Sequence, residues 1–178
     1  AKSLNKIRSL NIFKSVTSEI IEGSSPTFKV INISIEEKPT GEISLGAGIG
    51  SDGGTVGFAI SENNFLGKGV QLSTALKVSG DTIKGNFTIN NPNFNYSGRA
   101  LYTNIENSKT DKLSSSGYES SKSGLSFGTR FEEYENLFFS PSISVSSEKI
   151  NTISTASTSL KKQEGSYFET KFSYSLDY

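Results

Sequence analysis

Two groups of carboxylates stand close enough in sequence to suggest acid–base chemistry: Glu36, Glu37 and Glu42, and Glu132, Glu133 and Glu135. Paired carboxylates can act as general acid and general base when their surroundings separate their proton affinities. Both groups fall at a linker or a turn, however, where solvated charge is ordinary. The segment Gly48-Ile49-Gly50-Ser51-Asp52-Gly53 matches the Gly-x-Gly-x-x-Gly pattern of dinucleotide sites. Such a site needs a helix to follow, so that its N-terminus faces the pyrophosphate. Here Thr55-Val56-Gly57-Phe58 follows, which reads as a strand, so these glycines are assigned to strand and turn. Of three Asn-x-Ser/Thr patterns, at Asn32, Asn86 and Asn95, two lie in predicted strands, which argues against glycosylation. The chain contains no His and no Cys. That argues against zinc, haem and iron–sulfur sites and against Ser-His or Cys-His nucleophiles. No cofactor, no metal and no enzymatic activity are expected.

The composition narrows the class further. Lys and Arg total 18 and Asp and Glu total 18, so no electrostatic case exists for a nucleic-acid partner. Hydrophobic residues make up 33%, and no apolar run approaches the roughly 20 residues of a membrane-spanning helix. Spanning strands need far less, because only every second residue meets lipid. The chain also has no Met and no signal-peptide pattern. It is expected to be an internal piece of a longer protein.

The elements that position these residues follow from periodicity. Lys2 to Leu10 reads as a helix with Leu4, Ile7 and Leu10 on one face. Lys14 to Glu22 and Phe28 to Glu37 read as strands, joined by a turn at Gly23-Ser24-Ser25-Pro26. Lys38-Pro39-Thr40-Gly41 marks a boundary. From Glu42 onward the pattern becomes period two. Ile43, Leu45, Ala47 and Ile49 alternate with Ser44, Gly46, Gly48 and Gly50, and Val56, Phe58 and Ile60 alternate with Gly57, Ala59 and Ser61. Asp52-Gly53 between them is a hairpin signal. Further strands are predicted at Val70 to Ser79, Thr82 to Asn90 and Arg99 to Glu106. Three more centre on Leu125 to Phe131, on Leu137 to Val145 and on Phe168 to Tyr178, giving about eight in all. Pro141 is expected to cause a bulge or disrupted pairing. Short turns at Asn63 to Lys68, Asn91 to Ser97 and Glu132 to Asn136 contrast with long polar loops expected at Ser108 to Lys122 and Ile150 to Gly165. Phe94, Tyr96, Tyr102, Tyr118, Tyr134 and Tyr167 lie near strand ends, where aromatic girdles form. Long strands with one greasy face and one small or polar face are how a transmembrane β-barrel is written. The glycines at 46, 48 and 50 have two readings of equal standing: room for a neighbour inside the lumen, or a strand that must release its partner.

The order of motifs then becomes specific. Glu37-Lys38-Pro39-Thr40-Gly41 leads into Ile43-Ser44-Leu45-Gly46-Ala47-Gly48-Ile49-Gly50, and Asn64-Phe65-Leu66-Gly67-Lys68-Gly69 follows the second strand. Asn91-Pro92-Asn93-Phe94 supplies the next turn, and Phe13-Lys14-Ser15-Val16 opens the first N-terminal strand. This arrangement resembles the BamA family of outer-membrane assembly proteins, strongly from Pro39 to Gly69 and mainly in topology after Gly98. The resemblance implies a mainly β fold. Residues 1–38 would be the C-terminal part of the last α+β POTRA module, 39–41 a linker, and 42–178 the N-terminal half of an outer-membrane barrel with residues 1–38 in the periplasm. It also implies an insertase without a chemical step. In that reading Ile43, Ser44, Leu45, Gly46, Ala47, Gly48, Ile49 and Gly50 form the edge that pairs with client strands. Pro39, Gly41, Asn64, Phe65, Leu66, Gly67, Gly69 and Pro92 are family turn residues. The implied partners are unfolded outer-membrane proteins, accessory assembly lipoproteins and outer-membrane lipid. A passive channel of the translocation or two-partner secretion type is the alternative within the same superfamily, and a soluble β-sandwich binding module is the alternative outside it.

Overall fold

The structure is a computed structural model and describes residues 2–25, 27–50 and 53–178. Helix α1 (Lys2–Ser9) precedes a two-stranded antiparallel sheet of β1 (Phe13–Glu22) and β2 (Lys29–Glu37). Pairing of Val16 with Ile35, Ser18 with Ile33 and Ile20 with Ile31 collects the apolar residues on one face. Arg8 ties helix to sheet by donating from Nη2 to the Val16 carbonyl at 2.9 Å. Ile12 and Val16 are buried at this junction, whereas Ile20 and Ile31 stay exposed. Gly23 N–H closes the hairpin on the Phe28 carbonyl at 3.0 Å. Pro26 of that turn, and Ser51 and Asp52 of the predicted Asp-Gly turn, lie outside the described residues.

The remaining strands are β3 (Gly41–Gly50), β4 (Gly53–Phe65), β5 (Val70–Ser79), β6 (Thr82–Asn91), β7 (Ala100–Lys112), β8 (Tyr118–Tyr134), β9 (Leu137–Thr152) and β10 (Gly165–Asp177). They form an eight-stranded antiparallel meander in which each strand pairs with its sequence neighbours. The side-chain period of two assigns every residue to a face. One face carries Ile43, Leu45 and Ile49, then Val56, Phe58 and Ile60, then Leu76 and Val78, strand against strand in register. It continues through Ile83 and Phe87 to Ile105, Leu125, Val145 and Thr170, and through Phe127, Ile143 and Phe172. The other face carries Ser73, Thr88, Asn104, Ser126, Ser144 and Lys171. On β4 the polar-side residues Thr55, Gly57, Ala59 and Ser61 are half-buried, while the apolar Val56, Phe58 and Ile60 between them are exposed. The sheet therefore curls toward its polar side and presents its apolar side outward. Phe168 and Phe172 are 74% and 77% exposed.

One expectation is corrected and two are refined. The segment 108–122 is not a long loop: β7 continues to Lys112 and β8 begins at Tyr118, with Ser108 to Lys112 paired against Lys122 to Tyr118. Both faces of this extension are polar, so alternation vanishes although pairing persists. Helix α2 (Leu113–Ser116) and Gly117, at φ 75°, make the turn. The long loop expected at Ile150 to Gly165 is present, trimmed to 153–164 because β9 runs to Thr152, with helix α3 (Thr158–Lys161) inside it. Pro141 disrupts the pairing on one side, as expected, and causes no bulge. Its pairing with Tyr174 of β10 is continuous, and the β8–β9 ladder merely skips from Gly128–Ser142 to Phe131–Phe139 in one register. The missing N–H disturbs one side of one strand.

The ends of the sheet differ. At the end joined to residues 1–38, side chains close the turns. Asn64 Oδ1 accepts from Gly69 N–H and Asn93 Oδ1 from Gly98 N–H, at 2.7 and 2.8 Å. Both turns read Asn-Phe-x-x-x-Gly, and both glycines have positive φ, 66° and 73°. In the third turn Asn136, at φ 63°, donates its N–H to Glu132 Oε1 at 2.9 Å. At the opposite end Ile153 N–H bonds the Gly117 carbonyl at 2.9 Å, so the two longest connections of that end touch.

On the polar face the Tyr102 ring lies over Gly128, directly opposite it in the β7–β8 register, and occupies the space a Cβ would need. Gly128→Val is expected to destabilise the sheet by about 1–3 kcal/mol through overpacking. Urea midpoints compared with the Gly128→Val/Tyr102→Ala pair check this, since removing the ring should recover most of the loss.

Candidate functional site

Together with β10 at the other end, β3 is an end strand of the sheet. It pairs with β4 through ten residue pairs, Gly41–Glu62 to Gly50–Gly53, and stands at one end of the strand order. Its second side is free among the described residues. An edge strand presents unpaired N–H and C=O groups in a line, a ready template for another strand. Ile43, Leu45 and Ile49 on its apolar face are 69%, 79% and 94% exposed. The opposite face carries Ser44, Gly46, Gly48 and Gly50. A Cβ added at any of these three glycines meets no atom within 4 Å. No neighbour in this chain requires glycine there, in contrast to Gly124 under the Glu106 side chain and Gly128 under Tyr102. The bare surface extends inward across Gly57, Ala59 and Ala75. All eight predicted edge residues lie on β3, at one end of the strand order.

The predicted turn residues gather at the near end of the sheet. Gly41 opens β3 opposite Glu62. Asn64 caps the β4–β5 turn, Phe65 ends β4, and Leu66, Gly67 and Gly69 adopt positive φ. Pro92 follows β6 in the next turn at the same end. Pro39 lies just before β3 and joins the two-stranded unit to the sheet.

The carboxylates do not converge. Glu36 forms an ion pair with Lys14 at 2.7 Å, Glu42 accepts from Ser44 at 3.2 Å, and Glu132 is used in its turn. No grouping of three potential metal ligands occurs among the described residues. Gly48 and Gly50 end β3 and Gly53 begins β4, so the Gly-x-Gly-x-x-Gly segment joins strand to strand. No helix among the described residues is long and apolar enough to cross a membrane.

Several interactions carry no signal in the sequence. The aromatic residues on the apolar face near the sheet end are Phe131, Phe139 and Tyr174, with ring centroids 5.7 and 6.3 Å apart and the Arg99 guanidinium 5.1 Å from the Phe131 ring. Tyr102, Tyr118 and Tyr167, expected in a girdle, lie instead on the polar face. Also on that face, Arg130 reaches Asp177 at 2.5 Å across β9 and stacks on Phe138 at 4.7 Å. Gln71 bonds Asn90, and Thr88 bonds Asn104, at 2.8 and 2.9 Å. Only the register could have revealed these pairs.

Comparison with known proteins places this geometry. No curated protein matches the chain. Among solved structures, BamA from Haemophilus ducreyi lacking POTRA domains 1–3 superposes with a TM-score of 0.72 at 22% identity, covering 98% of this chain. This chain spans 36% of the length of that structure. The Omp85 superfamily domain matches residues 64–178, from the end of β4 through β10. With an antiparallel meander, an outward apolar face and this match over most of its length, the chain belongs to the Omp85 superfamily of outer-membrane β-barrel proteins.

Proposed function

We propose that this chain is part of a BamA-type assembly factor that inserts client β-barrel proteins into the outer membrane through a weak seam at β3. Residues 42–178 would form the N-terminal half of the barrel. Residues 1–38 would be the end of the last POTRA module, on the periplasmic side, handing over unfolded clients with the help of accessory lipoproteins. The observation that carries this reading is the bare Ser44-Gly46-Gly48-Gly50 face of β3, where no neighbour in this chain requires glycine, beside an outward apolar face.

The physical argument starts from the solvent. In hydrocarbon every unpaired backbone group costs several kcal/mol, so a spanning strand needs a partner on both sides. A client strand entering lipid alone bears that cost along its whole length. Pairing with Ile43 to Gly50 removes it on one side by β-augmentation. Gly46, Gly48 and Gly50 contribute no side-chain packing to a partner, so the bond between β3 and whatever closes the barrel is weaker than average. The reaction needs no acid, base or metal, only an edge that opens and closes.

The chain's lack of Cys makes site-specific cross-linking direct. Photo-cross-linkers attached through Ser44→Cys, Gly46→Cys or Gly48→Cys should capture arrested client strands, while one attached through Ser142→Cys in mid-sheet should not; labelling confined to mid-sheet would overturn the proposal. A disulfide between β3 and the closing strand should stop insertion, whereas a passive channel would keep conducting. A Cβ at Gly46 or Gly48 meets no atom of this chain within 4 Å, and replacing both by Val raises strand propensity by up to about 1 kcal/mol. The doubly substituted protein should fold normally and insert clients more slowly. Finally, Ile143→Lys on the apolar face should cost about 2–4 kcal/mol in a bilayer, and Ser142→Lys on the polar face far less; unfolding titrations in lipid vesicles compare the two.

A further inference from the structure

The junction between residues 1–38 and the sheet is held far more firmly than a Pro-Thr-Gly linker suggests. Lys38 is fixed to the N-terminal unit, its N–H on the Ile12 carbonyl at 3.4 Å and its Nζ on Asn11 Oδ1 at 2.8 Å. Two residues later Thr40 is fixed to the sheet. Its hydroxyl donates to Glu62 Oε1. Its carbonyl accepts from both the N–H and the Nδ2 of Asn63, at 3.2 and 3.3 Å. The same Glu62 oxygen also accepts the Asn64 N–H at 2.7 Å, and Asn64 closes the β4–β5 turn. Glu62 stands opposite Gly41, the first residue of β3, where a Cβ would come within 3.4 Å of its carboxylate. Only Pro39 separates the two anchored residues, and its ring restricts φ.

We infer that Glu62 is a positioning residue: its carboxylate clasps Thr40 to the first turn, sets how the N-terminal unit is seated on the sheet, and pins the base of β3. Glu62 lies past Ile60, the last apolar residue of β4's alternating run, and against the β4–β5 turn. There the Thr40 hydroxyl and then the Asn64 N–H hold its carboxyl below the ordinary glutamate value, so the anionic acceptor is the form present at neutral pH. The clasp confines separation of β3 from its neighbour to the stretch beyond Gly41. It also carries any reorientation of the N-terminal unit directly to the edge strand. That consequence rests on the proposed insertion through β3; the clasp itself does not.

The test separates the two. Nitroxide labels on Asn32→Cys in β2 and Ser121→Cys in β8, both exposed, report the seating of the N-terminal unit in the full-length protein in lipid. The parent protein should give one narrow distance distribution. Glu62→Ala and Thr40→Val should each abolish the narrow peak, the double variant should add nothing further, and Glu62→Gln, which retains one acceptor oxygen, should restore part of it. Hydrogen exchange at Glu42 to Leu45 should accelerate in parallel. Unchanged distributions, or additive effects of Glu62→Ala and Thr40→Val, would overturn the clasp. If Glu62→Ala does not fold, Asn63→Ala, which removes one bond to Thr40, should broaden the distribution, and an unaltered one would count against the inference. Client cross-linking to β3 is scored independently, so loss of one result leaves the other standing.

Discussion

Backbone pairing in a medium without water is the constraint on which the rest depends. The sheet from β3 to β10 satisfies it internally by ladders between sequence neighbours, and leaves it unsatisfied along the outer sides of β3 and β10. In water an exposed edge is a tolerable liability. In hydrocarbon it is a demand for a partner. What is a structural problem for an ordinary sheet becomes, in the function proposed above, the means of action: β3 meets that demand by pairing with a client strand.

The distribution of apolar residues answers to the same solvent. Ile12, Val16 and Ala156 are the only buried hydrophobic residues among those described, and none belongs to the eight strands. The sheet instead places Phe, Ile, Leu and Val on its outward face and Ser, Thr, Asn and Lys on the enclosed one. A water-soluble sandwich buries its apolar faces between sheets, so this chain is built the other way round. The polar side is held by cross-strand pairs such as Gln71–Asn90 and by the Arg130–Asp177 contact.

Much of this is legible in the sequence, and the rest is hidden for identifiable reasons. Where alternation is strict, as in Val70 to Ser79, the strand limits agree residue for residue. Where both faces become polar, as from Ser108 to Lys122, the hydrophobic signal disappears and paired strand has the look of loop. The lost ladder donor at Pro141 marks the disturbed pairing, and no bulge follows, since a missing N–H interrupts one neighbour and not the register. The edge residues Ile43 to Gly50 stand out together because the glycines break the pattern on one face only. Glu62 is silent because nothing in a strand's end residue announces a bond to Thr40, 22 positions earlier. The tyrosines near strand ends are legible by position alone, and position does not assign a face.

The three turns closed by side chains have a consequence for the way this wall is built. They lie at one end of the sheet and join β4 to β5, β6 to β7 and β8 to β9. A hairpin whose bend is already locked has a low entropic cost of nucleation and zips outward from it. The natural modules of the nascent wall are therefore these three hairpins, offset by one from the chain's first pair. Strands β3 and β10 belong to none of them, and each is joined to the wall along a single flank.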